Sequence, residues 1–253
     1  MVQIVQSGQI SIGHAAEIAV GGMCAWRLPA DAACASVSRS LLAIALKTLG
    51  LGHGLIDDVA LAASELTTNA FNHGLRADAF STPVPSELWL WARATPAPQL
   101  VVSVFDSCRT SFPDAAPRDL LDEHGKGLGI VTMLAAAWGA HSSRSRLGGG
   151  HPGKAVWCAF PLHGAWPNPK LTAPPVLAAR HLAAVLTARG VRDVAHRHGR
   201  SVSLVTVPAS GAEINVWVEP AHLTCTGPDG LRVRRPIVDL HDAAEFLTAR
   251  HEQ

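Results

Sequence analysis

The segment SELTTNAFNHG, residues 64–74, lies inside an amphipathic helix that the apolar spacing predicts over residues 55–73. Positions at steps of three and four, which would face a sheet, are Val59, Ala63, Leu66, Ala70 and His73. A neighbouring polar stripe, at steps of seven, four and three, consists of Asp58, Glu65, Asn69 and Asn72. Such a stripe is usually the solvated side of a helix, but asparagine is unfavourable in a helix interior. Two interpretations follow, a solvent-facing side or a functional face.

The residues before this segment predict a partner helix over residues 32–49. Asp31 is the N-cap candidate after Pro29, and Gly50 with Gly52 ends the helix. Its apolar face is predicted from the helical spacing of Val37, Leu41, Ile44 and Thr48.

The residues after the segment predict a hairpin. ELWLWARA places Leu88, Leu90 and Ala92 on one face of a strand and Trp89 and Trp91 on the other. Pro96-Ala97-Pro98 forms the turn, and LVVSVFD is a second strand that ends at Asp106.

A long loop over residues 107–124 has the length of a binding loop or lid. Gly125, Gly127 and Gly129 then precede a helix, whose predicted apolar face is Ile130, Met133, Leu134 and Ala137. Strands at 141–147 and 155–160 follow. This order predicts an α+β two-layer sandwich, with helices on one face of a mostly antiparallel sheet.

Four prolines at residues 163–175 indicate a linker, after which the pattern restarts. Helices over 176–189 and 240–250 enclose strands at SVSLVTVP, EINVWVEP and LTCT or LRVRR. The predicted organisation is an N-terminal segment (1–23), a first domain (24–163), a linker (164–175) and a small α+β domain (176–253) in which no motif indicates chemistry.

The composition restricts the class of protein. Of 253 residues 48% are hydrophobic and 16% charged, and the formal net charge is +1. This describes a folded chain, without the excess of cations that nucleic-acid binding requires. The five cysteines form no CxxC pair and predict a reducing cytoplasm, and no apolar run is long enough for a membrane span.

The polar stripe, Asp106 and the glycines together favour a nucleotide pocket. A carboxylate at a strand end is either a turn residue or an acceptor directed into a pocket. Glycines at a helix N-terminus expose backbone N–H groups to phosphate. Each signal is weak alone, but their order along the chain is informative.

These segments resemble the GHKL superfamily of ATP-binding domains, and within it the bacterial anti-sigma-factor serine kinases, over residues 26–160. The resemblance implies a Bergerat-type fold, with SELTTNAFNH as the N-box. Glu65 would be the general base, Asn69 the magnesium ligand, and Asp106 in VSVFDSCRTSFP the acceptor for the adenine amino group. The implied nucleotide-binding residues are Asn69, Asn72, His73, Asp106, Gly125, Lys126, Gly127, Leu128 and Gly129. WRLPAD and GKAVW are similar to the regulatory branch.

The implied cofactors are ATP and Mg²⁺, and the implied partner is a sigma factor or its antagonist protein. The resemblance leaves open whether a Ser or Thr of that partner is phosphorylated and whether the chain forms a homodimer. Direct binding of nucleic acid or membrane is not expected. Lys126, Arg109 and Arg118 are candidates for positive charge near the phosphates, with no choice among them.

Two residues depart from the family pattern. Cys108 replaces a glycine, and Ala155 replaces a threonine that helps to hold adenine in many relatives. They motivate an alternative, a non-catalytic protein-interaction module with weak or no nucleotide binding. A sensor histidine kinase is disfavoured, because nothing before Trp26 predicts a dimerisation helix with a phosphoacceptor histidine.

Overall fold

Twelve strands and five α-helices are present in the computed structural model, which describes residues 2–5, 9–74, 84–113, 126–163, 166–209, 211–226, 230 and 232–253. The strands are β1 Val2–Val5, β2 Gln9–Ile12, β3 Met23–Arg27, β4 Glu87–Arg93, β5 Gln99–Asp106, β6 Ala137–Arg144, β7 Pro152–Pro161, β8 Ala195–His198, β9 Ser203–Ala209, β10 Ala212–Val218, β11 His222–Thr226 and β12 Arg232–Pro236. The helices are α1 Cys34–Thr48, α2 His53–Gly74, α3 Lys126–Leu134, α4 Pro175–Ala188 and α5 Leu240–His251.

The first seven strands form one antiparallel sheet in the order β1-β2-β3-β4-β5-β7-β6. Apolar residues of α1, α2 and α3 pack on one side of this sheet, which we call its front face. The expected α+β two-layer sandwich is therefore confirmed.

Alternation along the strands separates the two faces of this sheet, as the ELWLWARA pattern predicted. Leu88, Leu90 and Ala92 belong to the front cluster together with the helices. The opposite side, the back face, has its own cluster, which consists of Met23, Ala25, Trp89, Trp91, Val101, Phe105, Ala155 and Ala159.

The last five strands form a second antiparallel sheet in the order β12-β11-β10-β9-β8. Helices α4 and α5 share one apolar cluster with its inward residues, among them Val205, Val216 and Leu223. Helix α5 also reaches the back face of the first sheet, where Asp242 accepts hydrogen bonds from Trp91 (3.4 Å) and Arg93 (3.5 Å). This helix therefore lies between the two sheets, which explains why nearly all of its residues are buried.

Several details differ from the sequence predictions. The predicted apolar face of the first helix was wrong by about one position, because Ser38, Leu42 and Ala45 are buried while Ile44 is 66% exposed. His73 is exposed, although the spacing placed it against the sheet. Met133 is 84% exposed, and Val131 takes the buried position of α3 instead.

Two predicted element boundaries were also wrong. Ala137 begins strand β6, which starts four residues before the predicted position, since α3 ends at Leu134. Asp31 accepts a hydrogen bond from the Ala33 amide (2.8 Å), but Ala33 itself is the N-cap residue of α1. Within the described ranges, every helix is too short or too polar to cross a lipid bilayer.

Candidate functional site

Asp106 is a buried carboxylate at the end of strand β5 and is 2% exposed. Its Oδ1 atom accepts hydrogen bonds from the Lys154 ammonium (2.7 Å) and the Cys108 backbone amide (2.9 Å). Oδ2 accepts none from the described residues. The carboxylate is thus fixed in orientation and keeps one oxygen available as an acceptor.

Lys154 is the ionic partner of Asp106, and the sequence reasoning did not find this role. The two residues are opposite each other in the β5–β7 register, so both side chains lie on the same face of the sheet. The lysine side chain is 5% exposed and also donates to the Cys108 carbonyl (3.2 Å). The lysine in GKAVW was the available signal, but only the pairing of the strands places it beside Asp106.

Burial raises the pKa of Asp106 above its ordinary value, and the Lys154 ammonium and the Cys108 amide oppose this rise. His73 of α2 opposes it as well, through its charge. Helix α2 also contacts strand β5, whose last residue is Asp106.

Helix α2 supplies the predicted N-box residues. Glu65 and Asn69 are half-buried one turn apart, whereas Asn72 and His73 are exposed near the end of the helix. A Cβ atom added at Gly127 would lie 2.6 Å from Glu65 Oε2. Glycine at this position therefore lets the backbone of α3 approach the Glu65 carboxylate closely.

Helix α3 begins earlier than predicted. Gly127, Leu128 and Gly129 lie in its first turn instead of preceding it. The backbone N–H groups of a first helical turn have no intrahelical partner, so the site keeps the donors expected for phosphate. Gly125 and the Lys126 side chain lie outside the described residues.

The three candidate cations have different positions. Arg109 forms an ion pair with Glu252 at the end of α5 (3.1 Å), so it is directed towards the C-terminal unit. Arg118 and most of the predicted lid lie outside the described residues. The buried cation nearest the predicted adenine acceptor is instead Lys154.

The two residues that depart from the family pattern have different surroundings. Ala155 lies in the back-face cluster with Trp89 and Phe105, so the prediction that it removes an adenine contact was wrong. Cys108 is buried and its amide holds Asp106. Burial raises the pKa of the Cys108 thiol, but the Thr110 and Ser111 amides outweigh this effect and the net shift is downward.

The donor set fits Mg²⁺ bound largely through a nucleotide. Among the described residues, no cluster of three His, Cys, Asp or Glu side chains is arranged to hold a metal by itself. The Asn69 side chain of α2 offers one amide oxygen, and Mg²⁺ is usually bound by one or two protein oxygens together with phosphate and water.

Comparison with known proteins supports this assignment. Residues 28–152 match the family described as "Histidine kinase-like ATPase domain", which covers Glu65, Asn69, Asp106 and Gly127. No curated protein matches the chain. The match supports an ATP-binding domain of the GHKL type over this part of the chain, and the C-terminal unit lies outside it.

Proposed function

We propose that this chain is an ATP-dependent regulator of the anti-sigma-factor type, which binds Mg-ATP and a sigma factor or its antagonist protein. The observation that carries the proposal is the buried Asp106 carboxylate, held through Oδ1 by Lys154 and Cys108, while Oδ2 accepts no hydrogen bond from the described residues. The family match adds that this carboxylate occurs in an ATPase-type domain.

Each residue has a physical role in this proposal. Asp106 accepts a hydrogen bond from the adenine amino group, and Lys154 keeps the carboxylate oriented. Asn69 supplies an oxygen ligand to Mg²⁺, which supplies charge neutralisation at the phosphates. The first turn of α3 contributes backbone donors from Gly127, Leu128 and Gly129, with Lys126 at its start. Asn72 and His73 border the site.

Glu65 is the proposed general base for transfer of a phosphoryl group to a Ser or Thr of the partner. Such transfer depends mostly on positioning and on charge stabilisation, with a carboxylate that orients or deprotonates the incoming hydroxyl. Binding of ATP and a cytoplasmic partner places the protein in the cytoplasm in this proposal, and a homodimer remains a prediction.

Nucleotide binding is tested by titration calorimetry with Mg-ATP on the full chain. We expect Asp106→Asn and Asn69→Ala to weaken binding at least about tenfold, equivalent to about 1.4 kcal/mol. Asp58→Asn is the matched control, because Asp58 is an exposed residue of the same helix. Equal affinity in all four proteins would contradict the proposed pocket.

Phosphoryl transfer is tested with radiolabelled ATP and purified sigma factors or their antagonist proteins. We expect Glu65→Gln to lower the rate of transfer by about 10²–10⁴-fold while Mg-ATP affinity is retained. Transfer at the wild-type rate by this variant would rule out the role of Glu65 as the base.

A second candidate function is a protein-interaction module that does not use nucleotide. The observation in its favour is that Asp106 and Lys154 already neutralise each other in a buried ion pair. A folded wild-type chain that binds no Mg-ATP at millimolar concentration would select this alternative.

A further inference from the structure

The outward side of the second sheet carries an unusual row of side chains. Residues opposite each other in successive strands give the row Arg197 (β8), Leu204 (β9), Trp217 (β10), Thr224 (β11) and Arg234 (β12). We call this side of the sheet the open face, because α4 and α5 pack with the residues of opposite parity.

Trp217 at the centre of the row is 42% exposed. Its neighbours in the same strand, Val216 and Val218, are fully buried against the helices. A large apolar side chain exposed in the middle of a sheet, with arginines around it, has the composition of a protein interface.

The charges on the open face are mostly positive. Arg197, Arg232 and Arg234 are exposed, and Arg232 lies one row from Arg234 on the same edge strand. Arg234 makes a 3.6 Å ion pair with Glu219, but both side chains are about half exposed, so this pair contributes little. Among the described strand residues of this face, Glu213 is the acidic one, one row beyond Asn215 at the end of β10.

The back face of the first sheet shows what such a surface binds in this molecule. It also combines tryptophan with arginine: Arg146 lies 4.9 Å above Trp89 and Arg93 lies 5.2 Å from Trp157. Its occupant is α5 together with the residue on either side of it. The acidic side chains of this segment, Asp239, Asp242, Glu245 and Glu252, recur at steps of three, three and seven. Those steps place the carboxylates on one side of the helix.

We infer that the open face is a docking surface for an acidic amphipathic helix of a partner protein. Four strand spacings separate Arg197 from Arg234, about 19 Å, which a helix of about 13 residues spans. Carboxylates near its two ends pair with these arginines, and an apolar residue between them covers Trp217. This surface lies outside the ATPase-type domain, so the inference does not depend on nucleotide binding.

A single-stranded nucleic acid would also stack on tryptophan and pair with arginine. The net charge of +1 and the single exposed aromatic side chain of this face make it the less favoured occupant. The test therefore includes it as a competing outcome.

The test measures fluorescence anisotropy of a labelled helical peptide with a stripe of Glu and a stripe of Leu, titrated with the full chain. A peptide with Gln in place of Glu and an oligothymidylate of equal charge are the matched probes. We expect the Glu peptide to bind with a Kd of about 10–100 µM, typical of a small interface, and the Gln peptide more weakly. Trp217→Ala and the double variant Arg197→Glu/Arg234→Glu should each weaken binding at least about tenfold.

Arg180→Glu is the control variant, because Arg180 is exposed on α4 at the opposite side of the sheet. It replaces one arginine by glutamate away from the open face and should leave binding unchanged. The inference is overturned if the Glu peptide does not bind at millimolar concentration, if the open-face variants bind it like the wild type, or if the oligothymidylate binds at least as tightly.

Discussion

Each sheet presents one face that combines tryptophan with arginine, and among the described residues only one of these faces is covered. On the first sheet Trp89 is fully buried, with Arg146 and Arg189 over its ring and Glu245 bridging both arginines at 2.5 Å. On the second sheet Trp217 remains 42% exposed. Helix α5, which carries Glu245, covers the first face, whereas α4 and α5 pack on the opposite side of the second sheet.

The largest expected effect is on the covered tryptophan. Trp89→Ala should lower the free energy of unfolding by about 3–5 kcal/mol, because it removes a fully buried ring and leaves a cavity. Trp217→Ala should cost less than about 1 kcal/mol, since that ring is partly in solvent. Urea denaturation measures both variants, and similar losses would invalidate the distinction between the two faces.

Glu245 is the next residue to test, because it is the carboxylate that holds both buried arginines. Glu245→Gln should destabilise the protein by about 3 kcal/mol, since Arg146 and Arg189 would keep their charges in a buried site and lose the carboxylate that both contact. Glu213→Gln is the control at an exposed position and should change stability by less than about 0.5 kcal/mol. A loss at Glu245 no larger than that of the control would show that the ion cluster is not stabilising.

Two adjacent glycines between β6 and β7 test how closely this connection approaches the residues after α4. A Cβ atom at Gly150 would lie 2.4 Å from the Arg189 carbonyl, whereas one at Gly149 meets nothing within 4 Å. Both residues have positive φ, +75° and +65°, so the backbone strain of an alanine is common to them. Gly150→Ala should therefore lower the free energy of unfolding by at least about 1 kcal/mol more than Gly149→Ala does. Equal melting temperatures for the two variants would argue against this contact.

A pH dependence of stability is expected from Asp239. Burial raises the pKa of Asp239 to about 6, against the hydrogen bonds it accepts from the Ala94 and Thr95 amides, and Asp242 adds to the rise. The folded chain then binds more protons than the unfolded chain between about pH 4 and pH 6, so stability falls as the pH rises through this range. Asp239→Asn should flatten that fall in urea titrations.

Glu245 provides the contrasting sign at the same interface. Burial opposes its ionisation, but Arg189 and Arg146 outweigh burial and lower its pKa to about 2. Its contribution is complete above the ordinary glutamate pKa of 4.5 and is lost as the pH falls towards 2. If the free energies of unfolding of the wild type and Asp239→Asn change in parallel from pH 4 to pH 6, Asp239 is not the source of the fall in stability over this range.

Local periodicity was sufficient to predict some of these features and insufficient for others. The alternation of Leu88 and Leu90 with Trp89 and Trp91 gave the two faces of β4 correctly, because side-chain direction in a strand depends only on parity. The same parity argument fails between strands, since the register of β5 with β7 decides that Lys154 faces Asp106 and that Ala155 does not. That register depends on tertiary pairing of residues far apart in the chain.

In the candidate site, too, local features were predicted from the sequence and contacts between distant segments were not. Glu65, Asn69 and Asp106 were proposed from local spacing and from the family resemblance. Lys154 and the ion pair between Arg109 and Glu252 join distant segments, so no local pattern predicts them. The sequence of α5 did not reveal its position, because the helix is buried on two sides. Its carboxylates contact arginines on one side, and its apolar residues pack in the second core on the other.

The central claim, that nucleotide binds at the front of the first sheet and not at the open face of the second, is tested most directly by hydrogen–deuterium exchange of the full chain with and without Mg-ATP. We predict slower exchange in the segments that contain Glu65, Asn69 and Asp106, no change over residues 212–226, and loss of the protection in Asp106→Asn. Unchanged exchange around Asp106 at saturating Mg-ATP, or protection confined to the strand that carries Trp217, would contradict the account.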